Sequence, residues 1–124
     1  TPDECHTLTM QAHELGLEVL LEVHSTSELS YIHKETDMVG VNNRNLGSFV
    51  TNIENSFRIA EELKKAIAEI DFQTPPLLVS ESGISHPETI RELRSAGFRG
   101  FLMGETFMRT DDPGSTLEEL IHGI

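Results

Sequence analysis

Four polar strings each follow a short apolar run in this 124-residue chain: Glu22-Val23-His24, Asn42-Asn43-Arg44, Ser80-Glu81-Ser82-Gly83 and Gly104-Glu105-Thr106. If the apolar runs are strands of a parallel sheet, the strings fall at strand carboxyl ends, where loops open and the following helices present their positive amino termini. Carboxylates, amides, hydroxyls, a guanidinium and two glycines on one rim have the chemistry to bind a polar ligand and to move protons. Glu22 closes the run Val19-Leu20-Leu21, and a carboxylate on a buried strand is costly to desolvate, which favours a working role over a structural one. Glu81 reads two ways, as a second acid–base group or as an ion-pair partner of Arg44. Gly83 and Gly104 could offer bare backbone N–H groups to a phosphate, with Arg44 adding a forked contact, or they could simply permit tight turns.

The elements that must carry these groups alternate. Runs rich in Val, Leu and Met recur at Glu18–Val23, Met38–Val41, Leu77–Val79 and Phe101–Met103, lengths suited to strands buried on both faces. Ile53, Phe57, Ala60, Leu63, Ile67 and Ile70 follow steps of three and four and lie on one helical face. A second stripe, Cys5, Leu8, Ala12 and Leu15, stops at Gly16; a third, Ile90, Leu93 and Ala96, stops at Gly97, a residue that tolerates a left-handed cap. Thr1/Glu4, Ser25/Glu28, Thr51/Glu54 and Ser85/Glu88 have the spacing of capping boxes. Pro2 suits a first helical position, and Pro113 opens a final helix through Leu117, Leu120 and Ile121. The order is α-β-α-β-α-β-α-β-α, a single α/β unit whose four strands run parallel because each helix carries the chain back over the sheet.

Composition narrows the function classes. With 37% hydrophobic and 24% charged residues the chain can build one core, and its net charge of −12 disfavours nucleic acid and anionic membranes as partners. There is no run of 18 apolar residues and the single Cys5 has no internal disulfide partner, so a cytoplasmic protein is expected. Thr1 in place of Met points to a piece of a longer protein. Cys5 reads as core, Lys64 and Lys65 among Glu61, Glu62 and Glu69 as a solvated helix face, and Lys34, Glu35 and Asp37 as loop surface. His13-Glu14 would open a zinc helix only with a histidine where Leu17 stands, so no metal and no cofactor is expected.

Taken together and in order, LEVLLEVHS (17–25), VGVNNRNL (39–46), LLVSESGI (77–84) and FLMGETFMR (101–109) resemble the last four βα units of the indole-3-glycerol phosphate synthase family. The resemblance implies that 1–124 is the carboxy-terminal half of a TIM (βα)8 barrel. It also implies a carboxy-lyase of tryptophan biosynthesis, which closes the indole ring of 1-(2-carboxyphenylamino)-1-deoxyribulose 5-phosphate with loss of carbon dioxide and water. Glu22 then matches the general base, Asn42 the amide that orients the sugar-phosphate substrate, and Glu81 and Ser82 the polar pair lining the site. Arg44, Gly83, Gly104 and the backbone of Glu105 match the phosphate-binding group, and Leu46 an apolar residue near the ring.

The family also draws two lysines and a glutamate from the first half of its barrel, and no lysine stands at a strand end here. The isolated chain is therefore expected to be inactive. Its open parallel edges near Glu18 and Phe101 are expected to pair with the missing amino-terminal half or with a second copy. Two other readings remain: a phosphate-binding half-barrel without catalysis, and a flavodoxin-like binding module, which would want five strands and a lysine where Gly104-Glu105 stand.

Overall fold

A computed structural model describes residues 1–42, 53–81, 84 and 86–124, apart from the side chains of Ile53 and Asn55. In chain order these form α1 (Pro2–Glu14), β1 (Leu20–Val23), a 3-10 segment (Thr26–Tyr31), β2 (Met38–Asn42) and α2 (Ile53–Ala68). There follow β3 (Leu77–Glu81), α3 (Pro87–Ala96), β4 (Gly100–Leu102), α4 (Glu105–Met108) and α5 (Pro113–Gly123). The strands are all parallel and lie side by side in sequence order, β1-β2-β3-β4.

Side chains alternate across each strand, so the sheet has two unlike faces. Leu21, Val23, Val39, Val41 and Leu78 pack against Ile59, Ala60 and Leu63 of α2, Ile90 and Leu93 of α3 and Leu120 of α5. Phe98, just before β4, is the largest fully buried side chain. Burying each large side chain of this kind stabilises the fold by about 1.5–3 kcal/mol. The intervening residues, including Leu20, Glu22, Met38, Gly40, Asn42, Leu77, Glu81 and Leu102, share the other face by register. On that face Leu77 and Leu102 are 53% and 55% exposed.

The helix signals hold best where apolar spacing is densest. Leu63 and Ala60 are fully buried, with Phe57, Ile67 and Ile70 packed beside them. Gly97 ends α3 with φ 114°, a left-handed cap that a residue with a Cβ enters at a cost. Thr1 and Glu4 make the expected reciprocal capping box. Two other boxes differ. At Thr26–Tyr31 the chain makes a 3-10 segment instead of an α-helix, and the Ser25 hydroxyl meets that of Ser27 at 2.7 Å rather than capping the turn. The cap of α3 is His86, one residue beyond the expected Ser85. Thr51 and Ser85 themselves lie outside the described residues. The lysines pair at i, i+3, Lys64 with Glu61 and Lys65 with Glu62.

Two corrections concern weaker stripes. In α1 the residue turned inward is Thr9, whereas Leu8 and Leu15 of the expected stripe are exposed. One step of sequence is 100° of helix, so the docked face is Cys5, Thr9, Ala12 and His13. In α5 only Leu120 is buried, and Leu117 and Ile121 are exposed. The third correction is Asp37, which is no loop ornament: its Oδ2 accepts from His13 Nε2 at 2.8 Å and from the Val19 N–H at 2.7 Å. That carboxylate ties α1 to the approach of β1. The His6 and His33 rings, 4.2 Å apart, add a second polar contact between α1 and the segment before β2.

Candidate functional site

Glu22, Asn42 and Glu81 stand at the carboxyl ends of three neighbouring strands and on the face the helices leave open. Parity places them there, since Asn42 pairs with Glu81 and Glu22 pairs with Gly40, two residues before Asn42. Asn42 Nδ2 donates to Glu22 Oε1 at 2.5 Å. His24 Nε2 lies 3.1 Å from the same oxygen. Behind it Glu28 Oε1 accepts the His24 backbone N–H at 2.9 Å and lies 3.7 Å from Nδ1. Glu22 and His24 are 41% and 42% exposed along their side chains, so a ligand can reach them.

Glu81 sits in a different environment. It is only 4% exposed, and its Oε2 has no hydrogen-bond partner among the described residues. The carboxyl lies across the backbone of Gly40, where a Cβ would come within 2.5 Å of Oε2. A side chain at 40 would therefore displace the carboxyl. Burial pushes the Glu81 pKa up, the neighbouring Glu22 pushes it further, and His24 opposes both. Among the described residues the rim thus holds one carboxyl group with an amide donor and an imidazole beside it, and one with an oxygen that no donor reaches.

Of the expected phosphate group, Gly104 and Glu105 are described. Gly104 follows β4 and caps α4 with φ −133°, a conformation open to any residue, and nothing lies within 4 Å of where its Cβ would be. Among the described residues, then, neither a turn nor packing requires glycine at this position. Its carbonyl accepts the N–H groups of Phe107 and Met108, and the Glu105 side chain pairs with Arg109. Arg44, Leu46, Ser82 and Gly83 lie outside the described residues. Among the described residues no three His, Cys, Asp or Glu side chains are placed to hold a metal ion, and no helix is long and apolar enough to cross a membrane.

The motif reading missed His24 and Glu28. Alternation was the available signal for the first, since i, i+2 returns to the face of Glu22. For the second it was the Ser25/Glu28 spacing, which brings that carboxylate back over the start of the turn.

Parallel strands in sequential order, a helix-covered face and a polar carboxyl rim define an α/β chain built like part of a (βα)8 barrel. Solved structures share that fold. FabK from Thermotoga maritima matches with a TM-score of 0.58 at 16% identity over 82% of this chain and 30% of its own. The Amycolatopsis orientalis BexX/CysO complex also matches at 0.58, with 14% identity over 99% of this chain and 49% of its own.

A family model described as indole-3-glycerol phosphate synthase matches residues 1–120. Curated relatives of that name are 56% identical in Bacteroides thetaiotaomicron over 98% of this chain, 43% in Magnetococcus marinus over 95% and 44% in Koribacter versatilis over 95%. The chain belongs to the indole-3-glycerol phosphate synthase family. It spans 44%, 41% and 42% of the length of those three relatives. The sequential strand order departs from the doubly wound order of a flavodoxin-like module.

Proposed function

We propose that this chain is the carboxy-terminal half of the synthase's barrel and supplies the base and the phosphate grip for its decarboxylating ring closure. The observation that carries the reading is Glu22, fixed by Asn42 on the open face beside buried Glu81, in a chain of this family. The sugar-phosphate substrate would lie across that face. Arg44, Gly83, Gly104 and the Glu105 backbone would hold its phosphate and Leu46 its ring, while Asn42 and Ser82 orient it and Glu22 takes up the proton in the ring-closing steps.

No lysine reaches the rim, and loss of a general acid alone costs about 10²–10⁴-fold, so the chain by itself is inactive on this reading. Leu20, Leu77 and Leu102 on the open face and the free edges of β1 and β4 call for a cover. The preceding half of the barrel provides one; a second copy of the chain provides another, which sedimentation velocity at high micromolar concentration detects as a dimer.

The direct test is a graft. This chain replaces the matching segment of the Bacteroides thetaiotaomicron synthase, its 56%-identical relative, and the product is assayed for ring closure. Turnover supports the reading, and a folded graft without turnover overturns it. Saturable binding of a reduced, non-reactive substrate analogue by such an inactive graft would leave the non-catalytic phosphate-binding half-barrel.

A further inference from the structure

A carboxylate is an effective base only when its free lone pair is aimed, and the structure shows how one oxygen of Glu22 is pinned. Oε1 takes both contacts, from Asn42 Nδ2 at 2.5 Å and His24 Nε2 at 3.1 Å, while Oε2 accepts none among the described residues. We propose that His24 is a positioning residue for Glu22, itself held by Glu28; this rests on the reading of Glu22 as the base.

Asn42 alone leaves the carboxylate free to swing about the line of one hydrogen bond. A second contact, the His24 imidazole 3.1 Å from the same oxygen, restrains that swing and leaves Oε2 for the substrate. The imidazole is aligned in turn. Glu28 Oε1 accepts the His24 backbone N–H at 2.9 Å and stands 3.7 Å from Nδ1, so the ring lies between two carboxylates with Nε2 on the Glu22 side. The remaining charged group in range is Glu81, whose carboxyl feels both Glu22 and His24.

A folding role accounts for this poorly. The bond from the 3-10 segment is to the His24 backbone, which any residue supplies, and the Glu22–His24 pair is about half exposed, where such contacts add little stability. The effect of His24 is therefore expected on turnover and not on unfolding.

Two measurements decide it. In the active graft, His24→Ala should lower kcat on the order of 10- to 100-fold with KM little changed and the thermal midpoint retained. His24→Gln, whose amide nitrogen sits near the place of Nε2, should recover most of the loss, and Glu28→Ala should give a smaller one. Unchanged kcat in His24→Ala would overturn the proposal while leaving the family activity intact. In the 124-residue chain itself, Glu22→Gln should shift the ¹⁵N resonances of the His24 ring and leave the other five histidines in place. No shift would overturn the pairing. An inactive parent graft would sink the reading of the activity instead, and the ring spectrum then decides the pairing alone.

Discussion

Asp37 and Glu81 are carboxyl groups at opposite ends of the same sheet, and the fold treats them in opposite ways. Asp37, before β2, is partly buried, which raises its pKa, but the bonds from His13 and the Val19 N–H outweigh that and hold it below the ordinary range. Glu81, at the end of β3, is buried more deeply with no donor to Oε2 among the described residues, and its pKa is driven up. The first is a brace, an ion kept charged by what it joins. The second has a buried carboxyl oxygen without a donor among the described residues, which costs stability unless it serves a purpose or finds a partner. On the reading proposed above, the contrast sets a supporting end of the sheet against a working end.

If the carboxyl end is the working end, the largest effect belongs to its best-supplied group. Glu22→Gln in the graft should cut kcat by about 10²–10⁴-fold with KM nearly unchanged, measured by steady-state kinetics. Equal turnover would remove Glu22 from the mechanism. Next is Gly40→Ala, because its new methyl would meet the Glu81 carboxyl at 2.5 Å from Oε2. The atoms it meets are the far ends of flexible side chains, so the cost in urea unfolding should fall at the low end of overpacking, about 1 kcal/mol. Glu81→Ala in the same molecule should relieve much of that cost, giving clear non-additivity. Additive effects would mean that the carboxyl does not lie over Gly40.

The strands and α2 were legible because burial dictated their residue types: Val39, Val41, Ile59 and Leu63 are all fully buried. The rim was legible for a related reason, since Glu22, Asn42 and Glu81 are polar residues ending apolar runs. What escaped was set by contacts distant in sequence. Asp37 is a brace only because His13, 24 residues earlier, meets it. The inward turn of Thr9 in place of Leu8 depends on how α1 docks, largely through histidines, so no apolar stripe records it. His24 was visible as a strand-end residue, but its partner choice depends on the Asn42 and Glu28 geometry around Glu22.

The two smallest predictions test the opening contrast through pH. Asp37→Asn removes a part-exposed, charge-assisted link and should cost about 1 kcal/mol in urea unfolding at pH 7. Because the folded value of Asp37 lies below its unfolded value, its contribution is present above about pH 4 and disappears as pH falls through the folded value. The Asn variant should therefore lose part of the acid-side slope. Glu81 works in the other sense. Its folded value is raised, so whatever stability its neutral form retains is complete below about pH 4 and is lost as pH rises through that folded value. Glu81→Gln keeps the shape, cannot ionise, and should flatten the decline on the neutral side while leaving the acid limb in place. A Gln variant with the parent's full neutral-side slope would show that Glu81 finds a donor in solution, and the working end would then be as well satisfied as the supporting one.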